Sequence, residues 1–220
     1  MRKALVIGAS GGIGSALADR LDARGDLVDC VSRQGTGLDL TDPARVEAVL
    51  GDLTGPYETI CVATGLLSPK GRRPEKSLAE IDAAAMAEVM AVNAIGPALV
   101  LRALPRLLPR KRPARVGLLT ARVGSIGDNR LGGWYSYRAA KAAANQIVHT
   151  AAIEIARTHP QAVVVSLHPG TVETPFTRNY PQHRKLAPET AATHLLNVLD
   201  GLTSDESGGF FDWTGARVPW

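Results

Sequence analysis

Cysteine is scarce: Cys30 and Cys61 are the only two in 220 residues. That excludes a disulfide-stapled secreted scaffold and makes a reducing, cytoplasmic setting the expectation. A surplus of one charge is missing as well. Against 21 Asp and Glu stand 25 Lys and Arg, a formal net charge of +4. This suits an anionic ligand but is too weak a field to argue for nucleic acid. No apolar run of about 18 residues is free of polar breaks, so no membrane span is expected. The most apolar window, residues 83–101, contains Glu88, Asn93, Gly96 and Pro97. Arg2 and Lys3 before Ala4-Leu5-Val6-Ile7 imitate a signal peptide, but Gly8 ends that run too early. Repeats and low-complexity tracts are absent. What remains is ordinary globular material, 45% hydrophobic and 21% charged. Residues 1–220 are expected to form one domain, large enough to bury about 70% of the unfolded chain's surface.

Strand and helix signals alternate along this chain. Residues 3–8, 27–32, 59–64, 115–120, 162–167 and 209–213 read as strands, with a further short strand expected just before Asp39. Residues 13–24, 42–50, 82–108, 135–157 and 188–199 read as helices. Thr41 or Asp42 is the expected cap of the second, and Gly96-Pro97 a possible break in the third. Such alternation implies an α/β fold: a doubly wound parallel sheet of about seven strands with helices on both faces. Ligands then bind beyond the carboxyl ends of the strands, where strand order reverses.

The loop after the first strand reads Gly8-Ala9-Ser10-Gly11-Gly12-Ile13-Gly14. Glycines allow close backbone approach, and the helix that follows offers free N–H groups to a phosphate. The same residues satisfy the G-x-S-x-G elbow of hydrolases, but that elbow needs an earlier strand and loop, and only seven residues precede Gly8. The second strand ends Val31-Ser32-Arg33, without the carboxylate that holds the ribose of NAD. Ser32 and Arg33 fit a 2′-phosphate, so NADP(H) is expected in preference to NAD(H). Asp39 either accepts a hydrogen bond from the adenine amino group or caps the next helix.

Tyr137 and Lys141 are four residues apart and share a helix face. A phenol is a poor acid or base at neutral pH, and a nearby ammonium is expected to lower its pKa. The pair can then exchange the proton of a carbonyl/alcohol couple. Tyr135 has only Ala139 at that spacing.

Together, the glycine loop and the Tyr-x-x-x-Lys pair resemble the short-chain dehydrogenase/reductase family over almost the whole chain. Residues 124–137 and 211–220 resemble its C-factor-like and sniffer-like carbonyl reductase branch. The resemblance implies a Rossmann-like fold and oxidoreductase chemistry on a small carbonyl or alcohol. Asn93 would hold a proton-relay water, and Lys141 would also hold the nicotinamide ribose. Pro169, Gly170, Val172 and Thr174 would clamp the nicotinamide carboxamide. Val62-Ala63-Thr64-Gly65 stands where relatives carry Asn-Asn-Ala-Gly; Ala63, Thr64 and Gly65 would border the cofactor, Gly65 keeps the close approach, and the bracing asparagines are gone. The usual serine after the fifth strand is replaced by Ala121. Ser125, twelve positions before Tyr137, takes the carbonyl-polarising role, with Thr120 as the alternative. The C-factor likeness also allows a nucleotide-binding signalling or regulatory protein with little turnover. Relatives pair through the Tyr/Lys helix, which implies a homo-oligomer, dimer or tetramer; Ala139, Ala142, Ala143 and Ala151 would permit close approach.

Residues 175–187 correspond to the family's substrate loop; here they are short and polar, implying an open pocket. The five histidines (149, 159, 168, 183 and 194) show no metal-ligand spacing, so no metal is expected. His168 reads as structural. The cluster Arg106, Arg110, Lys111, Arg112, Arg115 lacks interleaved aromatics and reads as a solvated loop, not a nucleic-acid site.

Overall fold

The structure is a computed structural model describing residues 1–180 and 184–220. His183 and part of the expected substrate loop lie outside the described residues. Among those described, six parallel strands form one sheet: β1 (Lys3–Ile7), β2 (Leu27–Val31), β3 (Thr59–Val62), β4 (Ala114–Leu119), β5 (Ala162–His168) and β6 (Phe210–Asp212). Their order is β2-β1-β3-β4-β5-β6. The chain moves outward one way from β1 to β2 and then crosses back to β3, so strand order reverses at β1.

Alternation within each strand divides the core in two. Ala4, Val6, Val163 and Val165 face α1 (Gly12–Asp22) and the later helix at Pro188–Gly201, meeting Leu17, Leu21, Leu195 and Leu199. Leu5, Ile7, Val116 and Val164 face the opposite layer, meeting Val46, Leu104 and Val148. Both faces are covered, as the near-continuous apolar strands require.

The seventh strand does not form. Arg33–Thr36 is a single helical turn, α2, followed by Gly37 at φ 72°. Ser32 makes this turn: its hydroxyl accepts from the Gly35 N–H at 2.9 Å, and its carbonyl accepts from the Thr36 N–H at 3.0 Å. Gln34-Gly35-Thr36-Gly37 also has no apolar alternation to hold it in a sheet. Asp42 caps α3 (Pro43–Gly51), accepting from the N–H groups of Ala44 and Arg45.

Gly96-Pro97 does not break the long helix. Between α4 (Ala83–Met90) and α5 (Gly96–Leu107) runs a π turn, Ala91–Ile95. The wider turn absorbs a proline that cannot donate, and π turns of this kind often mark functional sites. By length and composition, Ala83–Leu107 is long and apolar enough to cross a membrane. Val100, Leu101, Leu104 and Leu107 on it are nevertheless packed into the core. Helix α6 (Tyr135–Ala156) lies on the same face of the sheet, and α7 is Pro188–Gly201. The basic cluster is used locally. Arg106 donates to the carbonyls of Leu50 and Leu53, Arg112 pairs with Glu58, and Arg115 donates to the Asp200 carbonyl.

Candidate active site

The glycine loop leaves β1 at the point where strand order reverses. Gly8 has φ +91°, and a Cβ there would stand 2.7 Å from the Ala63 carbonyl oxygen. A Cβ on Gly14 would overlap the Gly8 carbonyl, and one on Gly12 would stand 2.8 Å from the Thr174 methyl. Backbone therefore approaches backbone with no room for side chains. No side chain caps α1, and its first turn carries no acidic residue. Its N–H groups are left for an anion, as the sequence predicts. These features fit a dinucleotide phosphate.

Two hollows open from this cradle. One, of about 780 Å³, runs over Gly8, Ser10 and Gly11 to Ser32, Arg33, Asp39, Ala63, Thr64 and Gly65. The Asp39 carboxylate accepts from the Thr41 N–H at 2.9 Å and its hydroxyl at 2.7 Å, which hold it below the usual carboxylate range. It thus faces the hollow without capping α3.

The second hollow, about 320 Å³, joins Ser10, Gly11, Gly12 and Ile13 to Tyr137, Lys141, Pro169, Gly170, Val172 and Thr174. Thr120, Ala121 and His168 also line it. Gly170, at φ +77°, lies flat against Trp213, where a Cβ would come within 2.9 Å of the indole. The sequence-predicted halves of the site thus meet in one crevice.

Burial sets the electrostatics. Tyr137 is 6% exposed, and desolvation pushes its phenol well above the usual value. Lys141 is 3% exposed, and the same cause lowers its amine to about 8. The expected depression of the phenol by the amine is not what this geometry produces. The Lys141 Nζ donates to the Leu119 carbonyl at 2.9 Å and lies 5.7 Å from the phenol ring centre. Loss of water therefore outweighs the charge. Burial likewise lowers His168 to about 4, keeping it neutral.

Two expected residues stand elsewhere. Ser125 does not line the crevice: its hydroxyl donates to the Trp220 carbonyl at 3.4 Å and accepts from the Asp128 N–H at 3.1 Å. The Thr120 hydroxyl, by contrast, is buried with no hydrogen-bond partner among the described residues. Asn93 sits in the π turn, wholly buried. Its amide donates to the carbonyls of Leu66 and Val89, and its oxygen accepts from the Leu66 N–H. It braces the chain just past Gly65. A Cβ on Gly65 would lie 3.3 Å from the Asn93 oxygen and 3.7 Å from the Lys141 Nζ.

One group was not anticipated. Trp134 lies edge-on to Tyr137 at 6.2 Å and meets Tyr180 at 5.3 Å, while Phe176 meets Tyr137 at 5.9 Å. Four of the ten aromatic residues in the chain, Tyr137 among them, therefore form one cluster. The run Trp134-Tyr135-Ser136-Tyr137 carried that signal, but Phe176 and Tyr180 arrive by tertiary contact alone.

A sequence-family profile described as short chain dehydrogenase matches residues 2–185. The chain is 31% identical over 233 aligned positions to a 1-hydroxy-2-glutathionyl-2-methyl-3-butene dehydrogenase from Rhodococcus sp. (strain AD45), covering 100% of both chains. It is 38% identical over 148 positions to C-signal of Myxococcus xanthus, covering 66% of this chain and 84% of that one. A short-chain dehydrogenase/reductase from Burkholderia multivorans, solved with bound NADP, superposes with a TM-score of 0.80 at 25% identity, covering 100% and 99%. With its cradle, its Tyr-x-x-x-Lys pair and these relatives, the chain belongs to the short-chain dehydrogenase/reductase family of NAD(P)-dependent oxidoreductases.

Proposed function

We propose that the protein is an NADP(H)-dependent reductase interconverting a small aldehyde or ketone with its alcohol. The observation that carries this reading is the single crevice in which the glycine cradle, Tyr137, Lys141 and the 169–174 segment meet. Bound there, the nicotinamide supplies or accepts a hydride at the carbonyl carbon. Tyr137 gives its phenolic proton to the carbonyl oxygen; burial keeps that proton in place until it is needed. Lys141 stands ready to hydrogen-bond the nicotinamide ribose. Thr120 polarises the carbonyl in this reading: the residue borders the crevice and its buried hydroxyl has no partner among the described residues, whereas Ser125 is engaged with Trp220 and Asp128. Phe176 in the crevice, with Trp134 and Tyr180 clustered beside Tyr137, offers a flat apolar wall to the rest of the substrate, and the short polar sequence at 175–187 suits a range of carbonyls.

Arg33 at the start of α2, with no carboxylate at the end of β2, supports the preference for NADP(H) over NAD(H). Residues 1–220 act as one oxidoreductase domain in a reducing, cytoplasmic setting. The exposed Ala139 and half-exposed Ala142 and Ala143 leave α6 a small-residue face suited to a homodimer or tetramer, which light scattering would size.

The experiment is NADPH oxidation against a panel of aldehydes and ketones, comparing wild type with Tyr137→Phe. The expected result is turnover that falls about 10²- to 10⁴-fold in the variant, with cofactor binding retained. A second reading has one observation in its favour: Ala121 puts no hydroxyl at the position the family usually fills with serine, and C-signal is among the relatives. Tight NADP(H) binding without turnover of any carbonyl would replace the reductase by a nucleotide-binding regulator.

A further inference from the structure

Helix α6 begins badly by its own sequence. Gly132 and Gly133 both have φ 63°, and Trp134 follows at φ 53°, ψ 42°, a left-handed conformation costly for a residue with a Cβ. No side chain from the adjoining sequence caps the helix, and its first turn holds no acidic residue. Yet Tyr137 is its third residue. A helix start without a cap has unsatisfied N–H groups and is the end most free to fray. The phenol that must meet a carbonyl therefore stands on what should be the loosest part of α6.

The missing cap comes from elsewhere in the chain. Glu75, in the loop between β3 and α4, is 8% exposed. Its carboxyl accepts from the Ser136 N–H at 3.3 Å and from the Ser136 hydroxyl. Its backbone carbonyl accepts from the Trp134 N–H at 2.5 Å. A Cβ on Gly133 would lie 3.3 Å from that same carbonyl oxygen, so the two backbones touch. Arg138 secures the other side, donating to the carbonyls of Gly132, Gly133 and Val123. An acidic group at a helix N-terminus is also favourably placed against the helix dipole.

We infer that Glu75 is a positioning residue for Tyr137: by capping α6 across sixty residues of sequence, it fixes where the phenol meets the substrate. This rests on the reductase reading above. Glu75 touches no reacting atom in that scheme. It acts through Ser136, the residue just before the phenol, and Trp134, the residue that opens the helix. A displacement of about 1 Å in a reacting group can cost about 100-fold in rate, so the first turn has to be held.

The test compares Glu75→Ala, Glu75→Gln and Ser136→Ala with wild type in NADPH-dependent carbonyl reduction and in amide hydrogen exchange of residues 134–138. In Glu75→Ala, kcat is expected to fall about 10- to 100-fold. KM and the NADPH Kd stay within about 3-fold, since neither the cradle nor the carboxamide segment is touched. Glu75→Gln, whose amide oxygen still accepts from Ser136, is expected to recover most of that loss. Ser136→Ala shows a smaller fall, again in kcat alone. Exchange at 134–138 speeds up in Glu75→Ala and stays as in wild type over the central strands. The inference is overturned if kcat in Glu75→Ala remains within 2-fold of wild type, or if Glu75→Gln is as poor as the alanine variant. It is also overturned if exchange at 134–138 is unchanged or rises throughout the chain. Should Glu75→Ala not fold, an unaltered kcat in Ser136→Ala overturns it as well. A wild type that reduces no carbonyl sinks the reductase reading instead, and the exchange measurement still decides whether Glu75 holds the turn.

Discussion

Tyr137 and Lys141 are pushed in opposite directions by one cause. Desolvation disfavours the charged form of each, so the phenol rises and the amine falls to about 8. The amine's folded pKa lies below its unfolded value of 10.5, and the sign of the linkage follows. Burying the ammonium costs stability in full below about pH 8; the cost fades as pH rises towards 10.5. Compared with Lys141→Met, the wild type is expected to gain roughly 2–3 kcal/mol between pH 8 and 10.5, read from denaturant melts at both pH values. A constant gap would show that the amine is not desolvated in solution. At this scale the sequence was partly legible. Tyr137 and Lys141 declare themselves through helical spacing, which depends only on the chain. The spacing that points to Ser125 says nothing about direction. The loop carrying it turns the hydroxyl towards Trp220 and away from the crevice. Thr120, directly after β4, needed no such loop to reach it. The sign of the phenol shift was equally hidden, because a neighbouring charge is visible in a sequence and the dryness of its surroundings is not.

The elements that build the crevice are those whose geometry leaves little freedom. The β1–α1 turn tolerates no side chain at Gly8, where φ is +91° and the Ala63 carbonyl blocks any Cβ. Gly8→Ala is therefore expected to cost more than about 2 kcal/mol, combining left-handed strain with a backbone clash. Thermal melting should record a fall of at least about 4 °C, and NADPH binding should weaken with it. This turn was readable because glycines at fixed intervals between a strand and a helix have one economical explanation. The strand expected before Asp39 was not. Ser32 offers a hydroxyl to the chain three residues on, and that local hydrogen bond makes a helical turn out of a segment with no apolar alternation. At Gly96-Pro97 the same kind of error arises from assuming α geometry. A π turn lets the helix continue past the proline and carries Asn93 to Leu66.

Over the whole molecule, the sheet's reversal at β1 gathers segments spread across most of the chain. Residues 10–13, 63–65, 119–121, Tyr137, Lys141 and parts of 168–177 meet at the carboxyl edge of the strands. This convergence was foreseeable from the alternation of strand and helix, because such sheets bind ligands at that edge. The aromatic group around Tyr137 was not, since no pattern in residues 176–180 says where they will land. The proposed preference for NADPH belongs to this scale as well, because it depends on the groove as a whole. Arg33→Ala should weaken NADPH binding about 10-fold or more while leaving NADH nearly unaffected, as titration of both would show. Equal losses for the two would remove the assigned 2′-phosphate contact. The packing of the Gly170 turn against Trp213, itself stacked on His194 at 5.1 Å, has an optical corollary. An indole beneath the backbone expected to grip the carboxamide is a built-in fluorophore for occupancy. In a variant keeping only that tryptophan, emission should be quenched stepwise as NADPH is titrated in, giving a direct gauge of loading that works before any substrate is known.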